Sequence, residues 1–200
     1  MKRISALFIL ALLCGVLTGS EASASPATEE FIQQNFDKGY AILNSASLSA
    51  PQRRGQFRAL LLQIAASRSI ALFTLGPYAS GATPAELNAF VEAFTNHIVS
   101  LYEKGLNRYE GQALKMTGSA DRAADDSMVQ AEIVSPNQSN GQSIRVAFRV
   151  RPNETGALAV TDIQVGGLSL ATMARVEITA LMLQCNGSIS ELSNRLNAMH

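Results

Sequence analysis

Residues 144–151 read Ile-Arg-Val-Ala-Phe-Arg-Val-Arg, and this alternation of apolar and polar side chains is typical of a β-strand with one buried face. Residues 129–133, Val-Gln-Ala-Glu-Ile, alternate in the same way. Turn-forming residues separate the two segments at 135–141 and follow the second one at 152–156. The pattern therefore predicts neighbouring strands joined by hairpins, which is an antiparallel arrangement.

Two further segments, 112–117 and 158–165, complete a predicted antiparallel sheet of about four strands within residues 112–166. The last segment changes phase near Asp162, which predicts a β-bulge there. Apolar residues at helical spacing lie on both sides of the sheet, within residues 28–108 and 169–198. Because the order is helices, then strands, then helices, we expect an α+β fold rather than alternating α/β.

The helices have recognisable starts and apolar faces. Thr83-Pro84-Ala85-Glu86 combines a capping residue, a proline in the first turn and the glutamate of a capping box. The helix that follows is predicted to bury one stripe, made of Leu87, Phe90, Val91, Phe94, Ile98, Leu101 and Tyr102. The helix after Ser169 is predicted to turn another set inward, made of Leu170, Met173, Ala174, Ile178, Leu181 and Met182.

The first 24 residues predict export rather than part of the fold. Lys2 and Arg3 precede an apolar run over 4–17, and Ala22-Ser23-Ala24 resembles a signal-peptidase site. The run is shorter than the roughly 20 residues of a membrane span, which favours cleavage over a retained anchor. We expect a signal peptide at 1–24 and a single exported domain at 25–200, with Cys185 as the one mature cysteine.

Composition excludes several function classes. The chain has 16 basic and 16 acidic residues, which argues against a protein that binds nucleic acid by bulk charge. Hydrophobic residues make up 47%, too many for a disordered chain. Two histidines and two cysteines leave little for a metal site, and no phosphate-binding or nucleophile motif occurs. The sequence therefore predicts neither an enzyme nor a cofactor or metal centre.

Two charged groups are interpreted as solvated surface. Asp121, Asp125 and Asp126 lie among small residues without the spacing of a calcium loop, which indicates a solvated turn. Arg145, Arg149 and Arg151 share the polar face of one predicted strand. Such arginines are usually solvated, although they also suit an anionic partner.

The apolar residues allow two interpretations that periodicity does not separate. They form either a dry core, as in a purely structural adaptor, or a core left open as a pocket for a hydrophobic ligand. A third hypothesis is a small exported hydrolase of lipid or envelope substrates. It would need a base, and His97 is the one histidine away from the chain terminus.

Three motifs in order resemble the MlaC family of periplasmic phospholipid-binding proteins, also described as toluene-tolerance or ABC-transporter auxiliary proteins. The resemblance covers about residues 28–198. The first motif is Leu75-Gly76-Pro77-Tyr78 with Ala82-Thr83-Pro84-Ala85-Glu86 and Phe90-Val91-Glu92-Ala93-Phe94; the second is Leu101-Tyr102, Leu106, Tyr109 and Gly111-Gln112; the third runs from Asp162-Ile163 through Gly167-Leu168-Ser169-Leu170 to Arg175.

The resemblance implies an NTF2-like fold of the MlaC type, in which a curved antiparallel sheet and its covering helices enclose a lipid cavity. It implies non-covalent transport of phospholipid between inner and outer membranes, which serves outer-membrane lipid asymmetry and homeostasis. A hopanoid-associated branch of the family makes a hopanoid the alternative ligand. The implied partners are an inner-membrane ABC transporter complex with an MCE-domain protein and an outer-membrane lipoprotein–porin complex.

Mapped onto this chain, the family implies a set of lipid-binding residues. The apolar lining candidates are Leu72, Phe73, Phe90, Phe94, Ile98, Val129, Ile133, Val146, Phe148, Leu170 and Met173. Arg175 is the candidate near the headgroup, with Tyr102 and Tyr109 as weaker candidates. For each apolar residue, ordinary core packing is the competing interpretation, and for Arg175 it is a structural ion pair.

Overall fold

The computed structural model describes residues 26–106, 111–135 and 143–199. The helices before the sheet are α1 (Pro26–Asn44), α2 (Ala50–Ile64), α3 (Ser67–Leu75), the 3₁₀ helix Gly76–Gly81 and α4 (Pro84–Leu106). The strands are β1 (Ala113–Ala123), β2 (Asp126–Val134), β3 (Ser143–Pro152), β4 (Leu158–Val165) and the two-residue β5 (Leu168–Ser169). Helices α5 (Leu170–Gln184) and α6 (Ile189–Asn197) end the chain. The predicted α+β order is confirmed, while the predicted signal peptide and Tyr109 lie outside the described residues.

The sheet is antiparallel with strand order β1-β2-β3-β4-β5. In β4 the partner of Arg149 is Asp162, yet the partner of Val150 is Val160, so Thr161 is an extra residue. This is the bulge predicted near Asp162. Because of it, Val160 and Ile163 both join the apolar face, although two residues lie between them and a regular strand would place them on opposite faces. Asp162 lies in the opposite pleat, beside Arg149.

Buried apolar residues form two clusters. The sheet cluster joins α1 to the apolar pleat and contains Ile32, Val129, Val150 and Val160. The helical cluster joins α3, α4, α5 and α6 and contains Ala71, Leu75, Phe90, Ala93, Phe94, Ile178, Leu181, Met182, Cys185, Ile189, Leu192 and Leu196. None of the described helices combines the length and the hydropathy that a bilayer-spanning segment needs.

The prediction that the apolar stripes of α4 and α5 face inward along their whole length was wrong at the end of α4 and at the start of α5. Leu101 and Met173 are 47% and 55% exposed. Helix α5 packs into the helical cluster through Ile178, Leu181 and Met182, so its first turns reach past that cluster. Helix α4 packs into the same cluster through Phe90, Ala93 and Phe94, so its last turns, which include Leu101, reach past the cluster as well. The spacing of apolar residues predicts which face of a helix is apolar, but it does not predict how much of that face another element covers.

The capping box that starts α4 is confirmed. The Thr83 hydroxyl oxygen accepts from the backbone N–H of Glu86 at 3.3 Å, and the Glu86 carboxylate accepts from the backbone N–H of Thr83 at 3.0 Å. The bond from the Thr83 backbone is also the main cause that lowers the pKa of Glu86. These contacts satisfy amides that the first helical turn leaves without intrahelical partners.

Thr83→Ala is therefore expected to reduce the free energy of unfolding by about 1 kcal/mol, because it removes the side-chain acceptor of an N-cap. Thr83→Ser retains the hydroxyl and is expected to be close to the unaltered protein. Urea unfolding followed by far-UV circular dichroism measures both variants. Equal losses in the two variants would contradict the capping explanation.

Candidate functional site

A cleft of about 220 Å³ lies where β3 and β4 meet α3 and the start of α5. It opens on the polar pleat of the sheet, opposite the face that α1 covers. Most of its wall is therefore polar, with one aromatic side chain among hydroxyl, amide and charged groups. The lining residues are Phe73, Arg149, Asp162, Gln164, Ser169, Ala171 and Thr172.

The β4–β5 hairpin places the start of α5 against the sheet. Gly166 and Gly167 both have positive φ, 58° and 85°, which glycine adopts without steric cost in a two-residue turn. Ser169 then caps α5, and its hydroxyl oxygen accepts from the backbone N–H of Thr172 at 3.0 Å. The backbone N–H of Ala171 donates to Oδ1 of Asp162 at 3.0 Å. The strand and the helix are thus tied together at the cleft.

Arg149 is held on the sheet side of the cleft by Asp126. Its Nε donates to Oδ1 of Asp126 at 2.8 Å, and its Nη2 donates to Oδ2 at 2.6 Å, a bidentate pair. The hydrogen bond with Arg149 is the main cause that lowers the pKa of Asp126, and the same bond raises the pKa of Arg149. The charge of Arg149 is therefore largely balanced before any ligand enters.

Asp126 corrects the prediction of a solvated turn. It is 7% exposed and is the first residue of β2, where the tight β1–β2 hairpin brings it beside β3. Asp121 accepts from the Ser127 hydroxyl at 2.5 Å, and the exposed Asp125 pairs with Arg151 at 3.3 Å. Among the residues that the structure describes, no group of histidine, cysteine, aspartate or glutamate side chains could hold a metal ion.

Arg175 reaches the aromatic wall of the cleft from α5. Its Cζ lies 5.0 Å from the centroid of the Phe73 ring, a cation–π contact. Its Nη2 would lie 3.0 Å from a β-carbon placed on Gly76, whose φ is 58°. Glycine at position 76 therefore serves twice, since it ends α3 in a left-handed conformation and leaves room for the guanidinium. The predicted site residues Phe73 and Arg175 are in direct contact.

Tyr102 belongs to the same region electrostatically. Burial of its hydroxyl is the main cause that raises the pKa of Tyr102, and the negative charge of Asp162 raises it further. The residue as a whole is 37% exposed, so part of it remains open to water. Of the sequence-predicted residues, Phe73 lines the cleft, Arg175 contacts Phe73, and Tyr102 is close enough for the charge of Asp162 to raise its pKa.

The other predicted lining residues lie outside the walls of this cleft. Phe90 and Phe94 are buried in the helical cluster, with Ile98 partly buried against it. Val129 and Phe148 belong to the sheet cluster, and Val146 is buried in the same pleat. The remaining four are half-buried or exposed: Leu72, Ile133 and Leu170 are half-buried and Met173 is exposed.

Sequence reasoning missed most of the polar wall. Asp162 was noted for the bulge and as part of a family motif but not as a site residue, and Gln164 and Thr172 were not singled out. The available signal was the change of phase at Asp162, because an acidic residue inside an otherwise apolar strand needs a partner or a wet pleat. That signal predicted the bulge but not the cleft beside it.

Comparison with known proteins adds three findings. The model of the family described as MlaC protein matches residues 33–198. The solved structure of the phospholipid-binding protein from Ralstonia solanacearum in complex with a phospholipid is similar over 85% of this chain and 94% of that chain, with a TM-score of 0.69 and 20% sequence identity. At that identity the similarity shows a shared fold. No curated protein sequence matches the chain.

Proposed function

Because the chain belongs to the MlaC family, we propose that it is a periplasmic carrier that binds a phospholipid non-covalently and moves it between the inner and outer membranes. The family match over residues 33–198 is the observation that carries this proposal. The Ralstonia solanacearum protein, which has the same fold, is described as phospholipid-binding and was solved in complex with a phospholipid. The chain acts in this proposal as a binding and transport protein, not as an enzyme.

The physical chemistry of a lipid agrees with such a role. Each methylene removed from water contributes about 0.8 kcal/mol, so acyl chains held among apolar side chains are retained without covalent chemistry. The phosphate and its substituent are costly to bury, so they belong at a polar surface. The polar cleft beside β4 and α5 offers an environment of the second kind.

The wider cellular role follows from the family and is part of the proposal. The protein would be exported by residues 1–24, would receive or deliver lipid at an MCE-domain ABC transporter complex in the inner membrane, and would exchange it with a lipoprotein–porin complex in the outer membrane. The lipid-binding residues proposed from the sequence remain Leu72, Phe73, Phe90, Phe94, Ile98, Tyr102, Val129, Ile133, Val146, Phe148, Leu170, Met173 and Arg175.

Mass spectrometry of an organic-solvent extract of the purified protein tests the proposal. We expect about one phospholipid per protein chain, recovered alongside a known carrier protein purified in parallel. A stoichiometric hopanoid instead would place the chain in the hopanoid-associated branch. No lipid from this protein, with normal recovery from the control carrier, would overturn the carrier function and favour the dry-core adaptor.

The hydrolase hypothesis has a separate test. His97 is 8% exposed within α4, so it is packed rather than open to a substrate. His97→Gln preserves hydrogen-bonding capacity while it removes the base. Unchanged lipid loading in this variant, with no hydrolysis products in either protein, would support the carrier over the hydrolase.

A further inference from the structure

We propose that Asn186 is a site of non-enzymatic deamidation, and that the corner between α5 and α6 controls how fast it reacts. The closed corner prevents the reaction, and each transient opening permits it. The inference is independent of the proposed carrier function, because it concerns the chemistry of one dipeptide and the way the fold holds it.

The dipeptide Asn186-Gly187 has the chemistry for this modification. The backbone nitrogen of Gly187 attacks Cγ of the Asn186 side chain, loses its proton and closes a succinimide ring, while the side-chain nitrogen leaves as ammonia. Water then opens the ring to aspartate or to isoaspartate, so the net reaction consumes one water and releases one ammonia. Glycine favours the attack, since no β-carbon shields its nitrogen.

The position of the dipeptide gives water access to it. Asn186 and Gly187 are both exposed, and they lie between the last residue of α5, Gln184, and the first residue of α6, Ile189. Water and hydroxide therefore reach the side-chain amide and the ring that forms from it. Exposure favours the reaction, so any protection must come from the backbone.

The backbone of the corner holds the attacking nitrogen. Asn186 has a φ of 50° and is the one residue other than glycine with a positive φ in the described part of the chain. The N–H of Gly187 donates to the carbonyl oxygen of Met182 at 2.9 Å, and the N–H of Asn186 donates to that of Leu183 at 3.3 Å. These two bonds form the Schellman motif that ends many helices. The nitrogen of Gly187 cannot release its proton and attack Cγ until its bond to Met182 breaks.

Buried side chains keep that bond closed. Met182 and Cys185 are 0% exposed and Ile189 is 6% exposed, and all three belong to the helical cluster. The N–H of Ser188 also donates to the carbonyl oxygen of Cys185 at 2.9 Å, which ties the start of α6 to the end of α5. Breaking the Gly187 bond therefore requires these two helix ends to separate locally. The rate of deamidation then follows the fraction of molecules in which the corner is open.

The isoaspartate product changes the corner permanently. Its main chain passes through the former side chain and is longer by one carbon between residues 186 and 187. Because the Schellman bonds depend on normal backbone spacing, they cannot re-form in the same geometry. We therefore expect a thiol reagent to label the buried Cys185 faster in the modified protein than in the unmodified one.

The test measures deamidation of the folded and the unfolded protein. The purified protein is incubated in H₂¹⁸O at near-neutral pH, with and without an unfolding concentration of guanidinium chloride, and is then digested in ordinary water. Trypsin cleaves after Arg175 and Arg195, so peptide 176–195 reports Asn186 apart from the Asn-Gly pair at 140–141, which lies outside the described residues. Tandem mass spectrometry locates the ¹⁸O at Asn186. We expect modification in both states, slower by about tenfold or more in the folded protein.

Two variants test the control by the corner. Ile189→Ala removes a buried side chain beside the corner, and it is expected to speed the reaction of the folded protein by about threefold or more, with the unfolded rate unchanged. Ser190→Ala alters the next residue, which is exposed, and is expected to change neither rate. If Ile189→Ala does not fold, the unaltered protein in a low, non-unfolding concentration of guanidinium chloride decides, because denaturant favours local opening and should raise the rate.

Each result bears on one half of the proposal. No ¹⁸O at Asn186 in the unfolded protein would overturn the deamidation site. Equal rates in the folded and unfolded protein would overturn the control by the corner, as would a folded Ile189→Ala protein that reacts no faster than Ser190→Ala.

Discussion

Replacement of Leu192 by alanine is expected to lower the free energy of unfolding by about 2–5 kcal/mol, the range for a buried leucine that leaves a cavity. Leu192 is 0% exposed in α6 and belongs to the helical cluster that α6 shares with α3, α4 and α5. The neighbours belong to several helices and cannot all move in to fill the space. Since a domain of this size has a total stability of about 5–15 kcal/mol, the loss would be a large share. Chemical denaturation measures it.

Leu183→Ala is the matched control. Leu183 is a leucine in a neighbouring helix of the same cluster, but it is 67% exposed. The same atoms are removed, and the expected change is within about 0.5 kcal/mol, because almost no packing is lost. A loss of similar size in both variants would contradict the assignment of Leu192 to the core and of Leu183 to the surface.

Asp126→Asn is expected to have the second-largest effect, a loss of about 1–3 kcal/mol at pH 7. The amide keeps the shape of the carboxylate but not its charge, so the bidentate pair with Arg149 is lost. Two features keep the loss of unfolding free energy below that of a fully buried pair. About a third of the Arg149 side chain is exposed, so solvent screens the pair. Asp162, which faces Arg149 from the neighbouring strand β4, can also pair with the freed guanidinium.

The effect of this substitution should depend on pH in one direction. Arg149 lowers the pKa of Asp126 in the folded protein, so folding favours the ionised carboxylate. That stabilisation is fully present above the unfolded pKa, about 3.9 for aspartate. It is lost as the pH falls through the lower folded pKa. The difference in unfolding free energy between the unaltered protein and Asp126→Asn is therefore expected to be constant near neutrality and to shrink below about pH 4.

Asp125→Asn provides the control for both measurements. Asp125 is adjacent in sequence and is paired with Arg151 at 3.3 Å, but both side chains are well exposed. Its removal is expected to cost less than about 0.5 kcal/mol and to leave the pH profile almost unchanged. Equal profiles for the two asparagine variants would show that burial does not distinguish these pairs.

Local sequence patterns predicted most of the fold, because each of them depends only on residues that are close together in the chain. The strand period over 144–151, the capping box at Thr83 and the change of phase near Asp162 each depend on residues within one element or one turn. The structure confirms all three. What they could not give is how far along a helix its neighbours lie, and Met173 was therefore placed inward although it is exposed.

The candidate site was harder to predict, because its contacts join residues far apart in the chain. Asp126 and Arg149 are 23 residues apart, and the approach of Arg175 to Phe73 depends on how α5 packs against α3. A contact between residues so far apart produces no periodic pattern in the sequence from which it could be predicted. Family motifs named Asp162, Arg175 and Tyr102 but did not state which groups they meet. The structure places Asp162 in the wall of the cleft and Arg175 on the ring of Phe73, which also lines it.

The complete burial of Cys185 has a consequence for kinetics. Its thiol is 0% exposed in the helical cluster, and it is the one cysteine among the described residues. A thiol reagent in solution cannot reach it in the closed protein, so the labelling rate reports how often the packing of α4, α5 and α6 transiently separates. The rate at which Cys185 is labelled therefore measures how often these helices separate. Mass spectrometry can follow the added mass of the reagent, and no probe needs to be introduced.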